Sequence, residues 1–328
     1  MTMEIVLNTF GVSISRDNEG FVITNADGRQ RIPAAGVTSI QLTKGAQITS
    51  DAVLLAVEHE IDILFTDKGG KPMARVWSPK YGSISTIRKG QLAFTFSDEA
   101  VAWIKDVIRR KIENQQALLF MFASDDPLLL QAVEKASRRL EQYRSKIADL
   151  QGKQVSDVAP TLRGWEGFSS KIYFDMLNAF IPEECRFARR TQHPATDVAN
   201  AMLNYGYGIL YGKIEGALIR AGIDPYIGVM HRDEYNRPVL VYDVIELYRI
   251  WIDYIVVTLL RQRIITDEHY SVREDGSCWL EALGRRVLIQ SVNDYLDEVV
   301  GEGSSQRSRL TQISLYAQRL AQTFKHNL

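Results

Sequence analysis

Three short segments carry side chains whose types and spacing could do chemistry. In the first, Glu166 stands between Trp165 and Phe168, and the small Ser169 and Ser170 follow. The position reads as the first turn of a helix, where the backbone dipole alone would favour an acid. Among aromatic rings, however, a carboxylate carries a desolvation cost unless it is paired or binds a metal. In the second segment, Asp224-Pro225-Tyr226-Ile227-Gly228-Val229-Met230-His231, the histidine closes an apolar stretch and opens a polar loop running to Pro238. An imidazole there suits a hydrogen-bonded structural role or a metal ligand. In the third, Val244, Leu247, Trp251 and Ile255 form the apolar stripe of one helix, with Asp243 and Glu246 three residues apart on a face. Such neighbours lie roughly 5–6 Å apart at Cβ. If buried together they need a proton or a cation between them; Arg249 offers the plainer outcome of a surface ion pair. Two or three carboxylates and an imidazole make a hard oxygen and nitrogen donor set, better suited to Mg²⁺ or Mn²⁺ than to structural zinc.

The elements that must position these residues fall into two kinds. Up to about residue 90 the pattern is β. Short apolar or alternating runs at residues 4–8, 12–15, 21–24, 30–32, 38–42, 61–65 and 74–77 are separated by turn residues such as Asp17-Asn18-Glu19-Gly20, Asn25-Ala26-Asp27-Gly28 and Gly69-Gly70. One short helix is expected over residues 51–60, with Ser50 as its N-cap, Val53, Leu54 and Val57 facing inward, and His59 exposed at its end. From Glu99 the spacing turns helical, with Val101, Ile104 and Ile108 on one face. Asp125-Asp126-Pro127 opens a long amphipathic helix toward Leu150. Pro160, Pro182, Pro194, Pro225 and Pro238 mark helix boundaries or turns. Residues 301–305 read as a linker ahead of one last helix. The expected fold is therefore α+β: a small N-terminal β-sandwich domain over residues 1–90, followed by a larger all-α catalytic domain over residues 91–328.

Composition narrows the possibilities. The 328 residues suit about two domains, and 45% hydrophobic with 24% charged residues argues against a disordered chain. No apolar run nears the ~18–20 residues of a membrane span. The opening Met1-Thr2-Met3-Glu4-Ile5 does not resemble a secretory signal, so a cytoplasmic protein without a membrane partner is expected. Cys185 and Cys278 stand in no metal or redox spacing, which excludes a disulfide framework. With 39 Lys+Arg against 40 Asp+Glu the net charge is −1, which taken whole argues against a partner held by bulk positive charge. By segment the picture changes. Residues 103–155 hold ten Lys/Arg against seven Asp/Glu, including Arg109-Arg110-Lys111 and Arg138-Arg139, and Arg186, Arg189 and Arg190 precede His193. Such side chains suit DNA phosphates, and a solvated helix face explains the first two clusters equally well. Tyr207 and Tyr211 read as core or site-lining residues, and His193, His269 and His326 as non-catalytic.

In order and spacing, these segments resemble the CRISPR-associated spacer-acquisition integrase family, the universal adaptation endonuclease of CRISPR systems. The resemblance rests on four motifs in order. Glu166-Gly167-Phe168-Ser169-Ser170-Lys171-Ile172-Tyr173-Phe174 matches a Glu-Gly pair before small residues and an aromatic. Pro194-Ala195-Thr196-Asp197-Val198-Ala199-Asn200, then Tyr205-Gly206-Tyr207, matches Asp-x-x-Asn before a Tyr-rich helix. Residues 222–231 match Gly-x-Asp-Pro-Tyr-x-Gly-x-x-His in full, and Tyr242-Asp243-Val244-Ile245-Glu246-Leu247-Tyr248-Arg249 matches the last. Gln91, three residues after Arg88, fits the Arg-x-x-Gln at the family's domain junction. Leu247, Ile250 and Ala195 depart from the pattern without removing a proposed ligand.

What the resemblance implies is specific. Glu166, His231 and Glu246 would hold Mg²⁺ or Mn²⁺, with Asp243 beside them as a further catalytic acid. The reaction would be a transesterification in which the 3′-hydroxyl of spacer DNA attacks a phosphodiester at the edge of a CRISPR repeat, for antiviral defence; water in its place would give nuclease activity. No protein nucleophile is needed, and no phosphate-binding loop for ATP is present in the sequence. Arg163, Arg186, Arg189 and Arg190 are the candidate DNA contacts. The partners implied are spacer and repeat DNA, a second copy of the chain joined through the β domain as a homodimer, and a small second adaptation protein. Two other readings share the same residues: a structure-selective metal nuclease of DNA repair, and a non-catalytic DNA-binding scaffold.

Overall fold

A computed structural model describes residues 3–66, 72–76, 85–124, 126–192, 194–231, 237–302 and 305–327. The chain divides into two compact units, Met1–Ile84 with Ile219–Gly222, and Ser85–Leu218 with Ile223–Leu328. In the first, β1 (Met3–Leu7), β2 (Ser13–Asp17), β3 (Gly20–Asn25), β4 (Gly28–Pro33), β5 (Val37–Thr43) and β6 (Gln47–Ile48) precede a helix α1 (Ser50–Glu58), then β7 (Asp62–Thr66) and β8 (Pro72–Arg75). They form two four-stranded sheets, ordered β4-β3-β2-β6 and β1-β5-β7-β8. The first is a meander whose hairpins close at Asp17↔Gly20 and Asn25↔Gly28, where the turn residues predict them. In the second, β1, β5 and β7 run parallel. Such pairing needs a crossover, and α1 lies in the connection between β5 and β7.

Both sheets contribute to one core of Ile5, Leu7, Ile14, Phe21, Ile40, Leu42, Ile61 and Ile63, with Ala52, Leu55 and Ala56 of α1. The inward face of α1 is thus rotated by about one residue from the sequence expectation, and Leu54 is exposed. The cap moves likewise: Thr49, not Ser50, accepts a hydrogen bond from the Ala52 amide. His59 caps the other end and is exposed, as its position predicts. The Gly69-Gly70 turn and Trp77 lie outside the described residues.

The second unit is mostly helical. In order it holds α2 (Ser85–Phe94), α3 (Asp98–Ala123), α4 (Pro127–Asp149), α5 (Val155–Leu177), α6 (Val198–Arg220), α7 (Val239–Ile245) and α8 (Arg249–Arg261). A hairpin of β9 (Tyr270–Val272) and β10 (Cys278–Leu280), helix α9 (Ala282–Asp297), a second hairpin of β11 (Val299–Glu302) and β12 (Ser305–Ser308), and α10 (Arg309–His326) complete it. Local chemistry sets several ends. Asp126 caps α4 through the Leu128 and Leu129 amides, with Pro127 at the first helical position, as expected. Asp197 accepts from the Asn200 amide at the start of α6. The linker expected at residues 301–305 instead falls within the β11–β12 hairpin, with Gly303 and Ser304 outside the described residues. No helix among the described residues is long and apolar enough to cross a membrane.

The buried residues of helix α8 are apolar except for Asp253, which is 1% exposed. Its carboxylate accepts from the Tyr173 hydroxyl of α5 at 2.7 Å and from the Tyr207 hydroxyl of α6, so one acid pins three helices together. Burial raises the Asp253 pKa, and the two hydroxyls with Arg190 and Arg249 oppose that rise. Removing one donor leaves a buried carboxylate oxygen without a partner. Tyr173→Phe is expected to cost about 1–3 kcal/mol, read as a lower urea midpoint with the secondary structure unchanged at low urea.

Candidate active site

His231 owes its position to backbone constraints that begin before it. Helix α6 ends at Gly222, whose φ of +82° suits glycine. The turn that follows is gripped by Gln91, which is wholly buried. Its Nε2 donates to the Asp224 and Ile227 carbonyls at 2.7 and 3.0 Å, and its Oε1 accepts from the Asp224 amide at 3.0 Å. A side chain at Gly228 would collide with the His231 carbonyl and with Val239. Asp243 then gathers the far end. Its Oδ2 accepts from the Val229 and Met230 amides at 2.7 and 3.1 Å, and its Oδ1 from the His231 amide at 3.2 Å, while His231 Nδ1 lies 2.7 Å from Oδ1. This carboxylate is fully buried and has both oxygens engaged. It orients the imidazole and leaves Nε2 as the outward nitrogen, the arrangement typical of carboxylate–histidine–metal triads. Burial works to lower the His231 pKa, but the hydrogen bond and charge of Asp243, with Glu246 and Glu166 nearby, raise it overall.

Glu246 sits where the expected single helix breaks. Between α7 and α8 the backbone tightens into i→i−3 hydrogen bonds, Leu247 to Val244 and Tyr248 to Ile245, while Asn114 of α3 donates to the Leu247 carbonyl. Despite their three-residue spacing, Asp243 and Glu246 serve different partners, Asp243 the amides of residues 229–231 with the His231 imidazole, Glu246 the Arg249 guanidinium. Arg249 Nε meets Glu246 Oε1 at 2.8 Å, and its guanidinium lies 4.8 Å from the Tyr207 ring centre. The predicted Glu246–Arg249 pair therefore exists, but Glu246 is 8% exposed rather than at the surface. Burial pushes the Glu246 pKa up, and the opposing charges of Arg249 and Lys111 win, bringing it down to about 2.

The residue that joins the acids is Lys111 of α3. Its ammonium contacts Glu166 Oε1 and lies 2.6 Å from Glu246 Oε2. Ser170 also donates to Glu166 Oε1, at 2.9 Å. Burial lowers the Lys111 pKa, and Glu246 and Glu166 more than reverse that, so the ammonium is held more firmly than an ordinary lysine's. Within Arg109-Arg110-Lys111 the lysine passes for a DNA-facing or solvated cation, yet the sequence carries a signal against that. Ile104, Ile108, Lys111, Ile112 and Gln115 share the buried stripe of α3, and a lysine on such a stripe needs a partner. Glu166 lies in the middle of α5, not in a first turn, because the helix begins at Val155, where Asp157 accepts from the Lys153 and Gln154 amides. Pro160 stands inside the same helix instead of ending it.

Glu166 and Glu246 thus meet through one cation, with His231 in electrostatic range of both. Among the described residues no three His, Cys, Asp or Glu side chains are themselves arranged around a single ion position. The chemistry of the donors nonetheless fits a divalent cation. Two carboxylates already share a positive charge, and an imidazole is oriented by an acid behind it.

The candidate DNA contacts separate. Arg163, Arg186 and Arg189 are exposed. Arg190 is engaged inside: it donates to the Thr191 carbonyl and to Asn200 and Asn204, and packs over Phe174 and Tyr207. The Asp-x-x-Asn motif is part of this scaffold, since Asn200 bonds Asp197, the Arg189 carbonyl and the Thr191 amide. Tyr207 is core, as expected, and Tyr211 packs on Tyr242, which faces His231. His193 and residues 232–236 of the polar loop lie outside the described residues.

A β unit of two small sheets, together in one chain with a helical unit carrying two glutamates, a histidine and its aspartate, is the architecture of one known class of proteins. The family model described as CRISPR associated protein Cas1 matches residues 5–294. The chain belongs to the Cas1 family. It is 30% identical over 308 residues to "CRISPR-associated endonuclease Cas1 1" of Archaeoglobus fulgidus, covering 90% of this chain and 88% of that protein. Among solved structures, a casposase bound to integration product superposes with a TM-score of 0.85 at 20% identity, covering 100% of this chain and 92% of that one. A chain of a Cas6-RT-Cas1–Cas2 complex gives 0.81 at 21% identity; it is a longer polypeptide, of which this chain covers 35%. These two likenesses establish the fold.

The Asp243 arrangement has a measurable consequence. Asp243→Asn turns an amide nitrogen toward backbone donors, at an expected cost of about 1–3 kcal/mol in chelator-treated protein. His231 binds its proton more tightly folded than unfolded, so the pair adds stability below the ordinary imidazole value of 6.5 and loses it as pH rises through the raised value. Urea midpoints should therefore differ more between native and variant at about pH 6 than at about pH 8.

Proposed function

We propose that this protein is a metal-dependent DNA endonuclease and integrase of CRISPR adaptation. The observation that carries the reading is the pair of glutamates, Glu166 and Glu246, sharing one cation beside an imidazole oriented by a buried acid. Glu166, Glu246 and His231 would hold Mg²⁺ or Mn²⁺, and Asp243 acts behind His231 as a positioning residue rather than as a ligand. When bound, the ion supplies charge neutralisation at the scissile phosphate and a lowered pKa for the attacking hydroxyl. One phosphodiester forms as another breaks, with the spacer 3′-oxygen entering and the repeat 3′-oxygen leaving, so no energy-rich cofactor is required. Water as the entering group gives cleavage by the same residues.

The chain's own groups do the rest. Arg249 fixes Glu246 from one side, the Asp243 carboxylate keeps the imidazole in register, and in this reading the exposed Arg163, Arg186 and Arg189 meet phosphates. An endonuclease among the curated relatives, and structural neighbours solved with an integration product and in complex with Cas2, support the assignment. The working assembly in this reading is a homodimer built through the β unit, with Cas2 as the small partner and spacer and repeat DNA as substrates.

His231→Ala and Glu246→Ala should each abolish strand joining and cleavage while DNA binding persists. The loss should exceed the about 10–100-fold typical of residues standing behind a metal ligand, which is the range expected for Asp243→Asn. Undiminished joining by either alanine variant would refute the site. Arg186→Ala with Arg189→Ala should weaken binding to DNA of any sequence and reduce the slope of log affinity against log salt by up to about 2, measured by fluorescence anisotropy.

A further inference from the structure

We propose that Lys111 is a resident counter-ion of the site: its ammonium holds Glu166 and Glu246 together in the metal-free protein and must withdraw before a divalent cation can bind. The inference rests on the reading that Glu166, Glu246 and His231 are metal ligands, and it adds a role for a residue outside that set. Its basis is geometric. The Lys111 nitrogen touches one oxygen of each glutamate, Oε1 of Glu166 and, at 2.6 Å, Oε2 of Glu246. Lys111 is 6% exposed, on the buried face of α3.

Adjacent carboxylates repel one another, the more so where one of them, as Glu246, is buried, and an ammonium between them removes that cost. A divalent ion would answer the same need with twice the charge, and with bonds to both carboxylates and to the imidazole. The two cations occupy one place, so their binding is mutually exclusive. Apparent metal affinity is then reduced by the fraction of molecules in which the ammonium is already out of the way. The flexible four-carbon stem of lysine lets the head withdraw while α3 stays where it is. Arg249 differs in this respect, because it holds the other oxygen of Glu246, Oε1, and can remain there.

The test is a calorimetric titration of Mn²⁺ into chelator-treated full-length protein, comparing native, Lys111→Met, Lys111→Arg and His231→Ala. Lys111→Met keeps the stem and removes the charge; it should bind Mn²⁺ about tenfold or more tightly than native, whereas Lys111→Arg should bind no more tightly than native. The metal-free melting temperature of Lys111→Met should fall, and saturating Mn²⁺ should raise it by more than it raises the native value. If Lys111→Met does not fold, Lys111→Gln, which still donates to a carboxylate without charge, carries the same expectation. Equal or weaker Mn²⁺ binding by the uncharged variants, with binding still dependent on His231, overturns the counter-ion role and leaves the ligand assignment standing. Binding that survives His231→Ala, or no saturable binding even by the uncharged variants, overturns both.

Discussion

A positive charge buried between two glutamates is the constraint around which the helical unit is arranged. Lys111 comes from α3, Glu166 from α5, and Glu246 from the break between α7 and α8, so satisfying one ammonium fixes the approach of three separate segments. Ion pairs removed from water contribute little net stability, because desolvation offsets attraction. They are strict about geometry, however, since any misplacement leaves a bare charge inside. Nearby, Asp253 plays a comparable part with neutral partners, drawing Tyr173 and Tyr207 onto α8. The two arrangements are linked through Arg249, which bonds Glu246 and stacks over Tyr207.

Electrostatic neutrality of the chain is a poor guide to this interior. Lys111, Arg190 and Arg249 counted toward a total that balances acids almost one for one, yet all three are committed to internal contacts. The cations left facing outward include Arg163, Arg186 and Arg189. A net charge of −1 therefore describes neither the site nor the outer surface.

Much of this was legible in the sequence where the determining forces are local. The hairpins of the first sheet, the Asp126-Pro127 start of α4 and the glycine end of α6 each follow from turn and cap chemistry within a few residues. Other features depend on distant partners. The break at residues 246–248 is invisible because the apolar stripe of Val244, Leu247, Trp251 and Ile255 continues across it, and its carbonyl is met by Asn114 from another helix. Glu166 was misplaced within its helix because Pro160 reads as a boundary, while the start is set upstream by Asp157. Spacing pairs Asp243 with Glu246 and leaves His231 in a separate segment; that Asp243 instead serves His231 rests on three backbone amides that no spacing rule identifies. Lys111, by contrast, is readable from periodicity alone, since it continues the buried stripe of Ile104 and Ile108 on α3.

The grip of Gln91 on the turn before His231 works through peptide groups only: two carbonyls and one amide. What it recognises is a backbone shape, without regard to the side chains mounted on it. Tyr226, within that turn, is 56% exposed, and the three contacts hold peptide groups on either side of it. The histidine thus keeps its address through the path of the backbone before it, a path that Gly228 also secures by carrying no side chain.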